Sequence, residues 1–238
     1  MLLALDTATQ TASLALYDLD ADLLLAEWSW QARRRQTQDL LATAQLMLKQ
    51  FAASPQQISA LAVTTGPGSF TGVRIAISAV KGMGLGLPAP PRVVGIPTLC
   101  VTAAPWLWPV ESSDPPGCTT VCAYIQAGRG RYNWLFFIPG SARASRLYKP
   151  TADEHAAGPV AEFAAALATA GDQHPIWLVG EPTAELRAAV AHLPHVALVD
   201  GASSLRRAGN LAHLAALHLA HGQTDELAAL QPLYLRAP

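Results

Sequence analysis

The peptide Gly66-Pro67-Gly68-Ser69-Phe70-Thr71-Gly72, followed by Val73-Arg74, decides how the chain is read. Just upstream, residues 58–65 have strand length, and Leu61, Ala62 and Val63 are consecutive and apolar. Just downstream, residues 73–87 resume as a helix, which Pro88-Ala89-Pro90-Pro91 must end because proline cannot continue the ladder. The peptide is therefore a strand-to-helix corner. Glycines let the backbone turn tightly and bring its N–H groups close to a neighbour. Ser69 and Thr71 are candidate N-caps for the helix beginning near Val73, whose N-terminus favours anions. Arg74 falls in the first turn, where a cation opposes the helix dipole, so an acidic partner is expected for it elsewhere. No Lys-Ser/Thr follows Gly72, so the spacing is not that of a nucleotide-binding P-loop.

Working outward, residues 1–6, 12–17 and 23–30 are short apolar runs separated by polar turns, and predict a strand meander. Residues 37–51 place Leu40, Leu41, Ala44, Met47, Leu48 and Phe51 at steps of three or four, one apolar helical stripe. Residues 93–96 give one more strand, and Pro97-Thr98-Leu99 starts another helix. The proline-rich stretch 106–117 predicts a connection between lobes. Beyond it come paired strands at 119–125 and 132–138, a helix at 160–170 and a strand at 176–179. A helix at 183–192, a strand at 196–199, a helix at 210–221 and an extended tail follow. Strands first, then strand–helix alternation, occur in both halves. That is a duplicated α/β plan, with lobes at 1–104 and 105–205 and a final helix and tail, 206–238, returning toward the first lobe.

Bulk properties narrow the function. The formal net charge of −1 provides no global field to hold a phosphate backbone, so any contact with nucleic acid must be made mainly through another protein. Only 14% of residues are charged. Either much of the surface is apolar and covered by a partner, or alanine-rich helices inflate the apolar count. The most apolar stretch, 75–87, is broken by Lys81 and three glycines and is too short to span a bilayer. The first residues lack a basic segment and meet Asp6 at once, unlike a signal peptide. Cys100, Cys118 and Cys122 are odd in number and lack metal-ligand spacing, so reduced thiols in a cytoplasmic protein are expected.

Few residues could carry chemistry. Asp6-Thr7-Ala8-Thr9, an acid ending a buried strand before small hydroxyl residues, suits phosphate or Mg²⁺ handling. The same acid could simply cap its own turn. His213, His218 and His221 do not form a ligand set, and no His-x-x-x-His pair occurs, so no metal is expected. Arg33-Arg34-Arg35 could touch phosphate, or be a solvated loop. A kinase or ATPase of doubled plan needs a second carboxylate opposite Asp6. The matching position holds Gln126, which cannot act as a base.

Together these pieces resemble the TsaB (YeaZ) family. The resemblance rests on Leu5-Asp6-Thr7-Ala8-Thr9 with Ser13-Leu14-Ala15-Leu16, and on Thr37-Gln38-Asp39-Leu40-Leu41. It rests further on the Gly66 to Arg74 peptide and on Pro232-Leu233-Tyr234-Leu235-Arg236. The resemblance implies an actin/Hsp70-like (ASKHA) fold of two lobes, each a mixed sheet with helices. It implies a non-catalytic scaffold and activator for the catalytic paralogue TsaD in threonylcarbamoyladenosine modification of tRNAs reading ANN codons, alongside TsaE and TsaC. The chain is then no enzyme on its own, pairs with TsaD or with a second copy, and meets tRNA only through the complex. No cofactor is tightly bound, and ATP or ADP is expected only at the interface with TsaD. The helices at 37–51 and 73–87 would build that interface, through Leu41, Ala44, Met47 and Leu48 on the first and Ile75, Ile77, Val80, Met83 and Leu87 on the second. Gly82, Gly84 and Gly86 would permit close helix approach. Asp6, Thr7, Gly66, Gly68, Ser69, Thr71, Gly72 and Arg74 would form a structural loop with room for an anion contact.

The chain departs from the family pattern at two places. Gln36 stands where the family usually has histidine, and Gln126-Ala127-Gly128 stands where it usually has Asp-Ala-Arg. Arg129 and Arg131 are nearby arginines. Both departures remove groups that metal or nucleotide chemistry would use. The alternative is an ASKHA-type small-molecule kinase or ATPase using Asp6 and the Gly-rich loop, which would bind Mg-ATP in isolation. A peptidase reading finds no His-x-x-x-His and no Ser/His/Asp set.

Overall fold

The computed structural model describes residues 1–33, 35–112, 119–128 and 130–235. Arg34, Cys118, Arg129, Arg236 and the 113–117 part of the expected connection lie outside the described residues. The chain divides into two compact units. The first takes Met1–Val101 and Arg207–Leu233; the second takes Thr102–Arg206 and the tail from Tyr234.

The first unit is built on strands β1 (Leu2–Asp6), β2 (Thr11–Asp18), β3 (Leu23–Gln31), β4 (Ala60–Thr64) and β5 (Arg92–Ile96), in the order β3-β2-β1-β4-β5. The first three run antiparallel, and β4 and β5 add parallel to β1. Parallel addition needs helical crossovers, supplied by α1 (Gln36–Gln50) and α2 (Phe70–Gly86). Side-chain alternation sends Leu3, Leu5, Leu14, Leu16, Leu61 and Val63 toward these two helices, where Leu40, Met47, Val73 and Val80 complete a core. The opposite face is small: Ala15, Ala4 and Ala62 stand in register across β2, β1 and β4. Helix α6 (Ala208–Ala220) packs there, burying Ala208, Leu211, Ala212 and Ala215. With both faces covered, β1 and β4 are buried throughout.

The second unit repeats the plan. Strands β6 (Thr120–Ala127), β7 (Arg131–Phe137), β8 (Ala156–Pro159), β9 (Ile176–Val179) and β10 (Val196–Leu198) lie in the order β8-β7-β6-β9-β10. The antiparallel and parallel pairings follow the same sequence as in the first sheet. Helices α4 (Val160–Gly171) and α5 (Ala184–Val190) are the crossovers. Their core centres on Phe163, which stacks on Trp134 at 4.7 Å and meets Tyr124 and Tyr132 at 5.7 Å. The duplicated α/β architecture predicted from the order of runs is thus present, strand by strand.

Two sequence expectations need correction. The proline-rich stretch is helical where it is described: α3 runs over Thr98–Ser112, past Trp106 and Pro109. Its buried Leu99, Val101, Ala103, Ala104 and Leu107 offset the two prolines in the helix, Pro105 and Pro109, each a cost of about 3 kcal/mol in a helix interior. The edge strand β8 was not predicted, because Ala-Ala-Gly-Pro has little strand propensity and pairs only through β7.

The faces of α1 and α2 also sort the expected interface residues. Ala44, Met47, Leu48, Ile77 and Val80 are buried in the core of the first unit. Their apolarity is used there, so their side chains do not line an outer surface. Leu41 is 46% exposed, and Ile75, Met83 and Leu87 are half-buried at the boundary of the core. Met47→Ala should therefore cost about 2–4 kcal/mol in denaturant unfolding, as for a core truncation. Leu41→Ala should cost no more than about 0.5 kcal/mol. Equal losses would show that these two faces are wrongly assigned.

Candidate functional site

The Gly-rich corner joins β4 to α2 and is packed on the turn after β1. Asp6, at the end of β1, is buried, and its Oδ1 accepts hydrogen bonds from the Ala8 N–H at 2.8 Å and the Thr64 hydroxyl at 2.8 Å. The acid thus closes its own turn and ties β1 to β4. The Thr7 hydroxyl donates to the Gly72 carbonyl at 2.7 Å. The Ser69 N–H donates to the Ala8 carbonyl at 2.7 Å. A Cβ on Gly72 would overlap the Thr7 carbonyl oxygen, and one on Gly68 would overlap that of Ala8. The glycines do bring the backbone close to something, and that something is the turn after β1.

Gly66 has φ +107°, a conformation that favours glycine, and a Cβ there would sit 3.2 Å from the Leu233 carbonyl oxygen. The tail is fixed at this point, because the Leu233 N–H donates to the Thr65 carbonyl at 2.7 Å. Before that, Asp225 binds the edge of β5 through the Gly95 N–H at 2.7 Å, and the Lys81 ammonium donates to the Ala228 carbonyl at 2.9 Å. A strap of chain therefore covers the β5 edge and ends on the corner.

Ser69, not Thr71, caps α2: its hydroxyl accepts from the Gly72 N–H at 3.1 Å. The helix starts at Phe70, so Thr71 is exposed in its first turn. Arg74 stacks its guanidinium on the Phe70 ring, 3.8 Å from the centroid, across one turn of helix. The i, i+4 spacing of Phe70 and Arg74 is the sequence signal for this stack.

Outside the corner, α1 and α2 frame an open groove of about 470 Å³. Leu40, Leu41, Phe70, Ile75 and Ala79 give it an apolar lining, with Arg74, Thr37, Thr71 and Ser78 as its polar groups. Phe70 is 59% exposed, a large aromatic in water beside this groove. Phe70 was overlooked as a surface residue because its neighbours in sequence belong to the corner.

The remaining candidates are dispersed. Gln36 is buried, with its amide donating to the Thr9 carbonyl at 3.3 Å, so it holds the turn after β1 rather than facing solvent. Gln126 lies within β6, exposed, opposite Tyr132. Arg35 pairs with Asp39 at 3.3 Å in the first turn of α1. His213 lies near the Tyr17 hydroxyl, His218 near Gln223 and His221 near the Leu217 carbonyl. Among the described residues no group of three His, Cys, Asp or Glu is placed to hold a metal ion. Cys100 and Cys122 are buried free thiols, and burial pushes the Cys122 thiol well above its ordinary range. No helix among the described residues is long and apolar enough to cross a membrane.

Two sheets of the same strand order, each with crossover helices, and a strand–Gly-corner–helix seated on the first turn place the chain in the class of duplicated actin/Hsp70-like α/β proteins. A family model described as TsaD, tRNA N6-adenosine threonylcarbamoyltransferase, matches residues 30–237. The tRNA threonylcarbamoyladenosine biosynthesis protein TsaB of Escherichia coli (strain K12) is 38% identical over 136 residues, which are 56% of this chain and 53% of that protein. The TsaB of Bacillus subtilis (strain 168) is 32% identical over 89 residues, 37% of this chain and 38% of that protein. The chain spans about half the length, or less, of the curated relatives it matches. A solved structure, YeaZ from Pseudomonas aeruginosa, superposes with a TM-score of 0.72 at 25% identity, covering 98% of this chain and 99% of that one. The chain belongs to the TsaD-type family and, within it, to the TsaB/YeaZ proteins.

The corner predicts a sharp contrast between two glycines of one helix. Gly72→Ala should destabilise the protein by about 2–4 kcal/mol, because the methyl meets the Thr7 carbonyl. Gly82→Ala points into open space and should stabilise by about 0.5–1 kcal/mol through helix propensity. Thermal unfolding of both variants checks this, and a neutral Gly72→Ala would contradict the packing described.

Proposed function

We propose that this chain is a non-catalytic subunit of tRNA threonylcarbamoyladenosine synthesis that docks and activates the TsaD transferase. The observation that carries this reading is the contrast between corner and groove. The corner that could have cradled phosphate is filled by the chain's own turn and tail. The α1–α2 face, by contrast, leaves exposed apolar side chains around an open groove. A surface of that kind fits a protein partner better than a small polar substrate.

In this reading the docking residues are Leu41, Ile75, Met83 and Leu87 from the expected set, joined by Phe70. Asp6, Thr7 and the Gly66–Gly72 peptide hold α2 at the angle the partner needs. TsaE joins through the same complex, and tRNA is reached through TsaD, in the cytoplasm. ATP or ADP sits only where this chain meets TsaD. Without TsaD, the same face pairs more weakly with a second copy. The kinase alternative asks Asp6 to hold a cation's water shell, yet its carboxylate accepts from Ala8 and Thr64.

Leu41→Asp places a charge on the exposed face without disturbing the core. It should weaken capture of the chain by immobilised TsaD roughly tenfold or more, with the unfolding temperature nearly unchanged. The chain alone should transfer no threonylcarbamoyl group to tRNA, and should restore transfer when added to TsaD. Undiminished capture of Leu41→Asp, or transfer by the chain alone, would overturn the proposal.

A further inference from the structure

Helix α2 is firmly seated at its start and weakly specified at its end. Its last five residues, Gly82-Met83-Gly84-Leu85-Gly86, include three glycines, the poorest helix former after proline. The last turn carries no basic residue to complement the helix dipole. The strap that follows α6 lies against this segment. The Leu227 side chain takes the space that a side chain on Gly84 would fill, since a Cβ there would come within 2.7 Å of it. The Lys81 ammonium donates to the Ala228 carbonyl at 2.9 Å. Leu230 is buried in the same core as Val73, Ile77 and Val80 of α2. The strap also holds β5: the Asp225 N–H donates to the Val93 carbonyl at 2.7 Å, and the Asp225 carboxylate accepts from the Gly95 N–H at 2.7 Å. It ends at the Gly-rich corner, where the Leu233 N–H donates to the Thr65 carbonyl.

Between these anchors the strap is an exposed ribbon. Gln223, Thr224, Glu226, Ala228, Ala229 and Gln231 face solvent, and residues 222–233 contain no helix or strand. A segment held at a few points, with much of its backbone in water, opens at a lower free energy than the sheet it covers. We propose that the strap is a releasable clamp on α2: closed, it keeps the last turns helical, and open, it lets residues 81–87 fray. Opening withdraws Leu227 from Gly84 and the Ala228 carbonyl from Lys81 together. The glycine-rich turns then lose the cover that offsets their low helix propensity. The clamp is thus an order–disorder element, and whatever binds the strap or pulls on the tail biases α2. Resting on the reading that α1 and α2 form the docking face, the closed clamp is the docking-competent state, because Met83 and Leu87 belong to the segment that frays.

The test uses the full-length chain and the variants Asp225→Ala, Leu227→Ala, and Leu227→Ala combined with Gly82→Ala, read by amide hydrogen exchange. Asp225→Ala and Leu227→Ala should each speed exchange about tenfold in the strap and at residues 81–87, with β4 and α4 unchanged. A methyl on Gly82 meets nothing within 4 Å, so it adds helix propensity without a new contact. Adding Gly82→Ala to Leu227→Ala should therefore restore slow exchange at 81–87 while the strap stays fast. Capture of Asp225→Ala and Leu227→Ala by immobilised TsaD should weaken about threefold or more, with Leu41→Asp as the control for the face itself. If the strap speeds up and residues 81–87 do not, the clamp is overturned. Equal acceleration of β4 and α4 also overturns it, since the strap variants then act on the whole fold. If both strap variants are captured like the wild type while Leu41→Asp is lost, the link from clamp to docking is overturned and the docking face stands. If Leu41→Asp is also captured normally, the docking face itself is wrong, and the exchange results alone decide the clamp.

Discussion

The contact on which the molecule depends is the seating of α2 on the turn after β1. The Thr7 carbonyl occupies the space where a side chain on Gly72 would be, and the Thr7 hydroxyl reaches the Gly72 carbonyl at 2.7 Å. Ala8 makes the equivalent approach to Gly68 and accepts the Ser69 N–H. These contacts require glycine at both positions, and they use backbone groups that a phosphate cradle would have left open. They also fix where α2 leaves the sheet. Everything on the outer face of α2, including the Phe70–Arg74 stack and the groove beside it, inherits its position from this corner.

That dependence explains how much of the fold was legible. The Gly66 to Gly72 peptide lies between an apolar run and a helical pattern, so local sequence names both neighbours and the turn between them. Strands β1 and β4 are likewise legible because they are buried on both faces and therefore almost continuously apolar. The start of helix α3 at Thr98 is legible, but its length is obscured by Pro105 and Pro109, local signals that burial of Leu99, Val101 and Leu107 overrides. Strand β8 carries almost no signal of its own, since it exists through its pairing with β7.

The site was legible in kind but not in detail. An apolar stripe on α1 or α2 shows that a helix has more apolar surface than solvent tolerates. It does not show which part of the stripe the sheet takes. The structure gives Met47, Val80 and their neighbours to the core and leaves Leu41, Phe70 and part of Ile75 outside. Asp6 is a case where two readings shared one pattern: an acid before small hydroxyl residues can hold a cation or close a turn. Only the distances to Ala8 and Thr64 show the turn closed. Gln36 reads as a departure from a family pattern, yet its amide supports the Thr9 carbonyl and so strengthens the same corner.

A fold that elsewhere could surround a nucleotide is used here, in our account, to aim a pair of helices at another protein. The central claim is that binding occurs on the α1–α2 face and that the corner is structural. Amide hydrogen exchange on the purified chain tests it most directly, comparing the chain alone, with Mg-ATP, and with TsaD. The account predicts slowed exchange within α1 and α2 when TsaD is added, and no change at residues 6–8 or 66–72 when Mg-ATP alone is added. Protection of residues 6–8 and 66–72 by Mg-ATP alone, with α1 and α2 indifferent to TsaD, would contradict it.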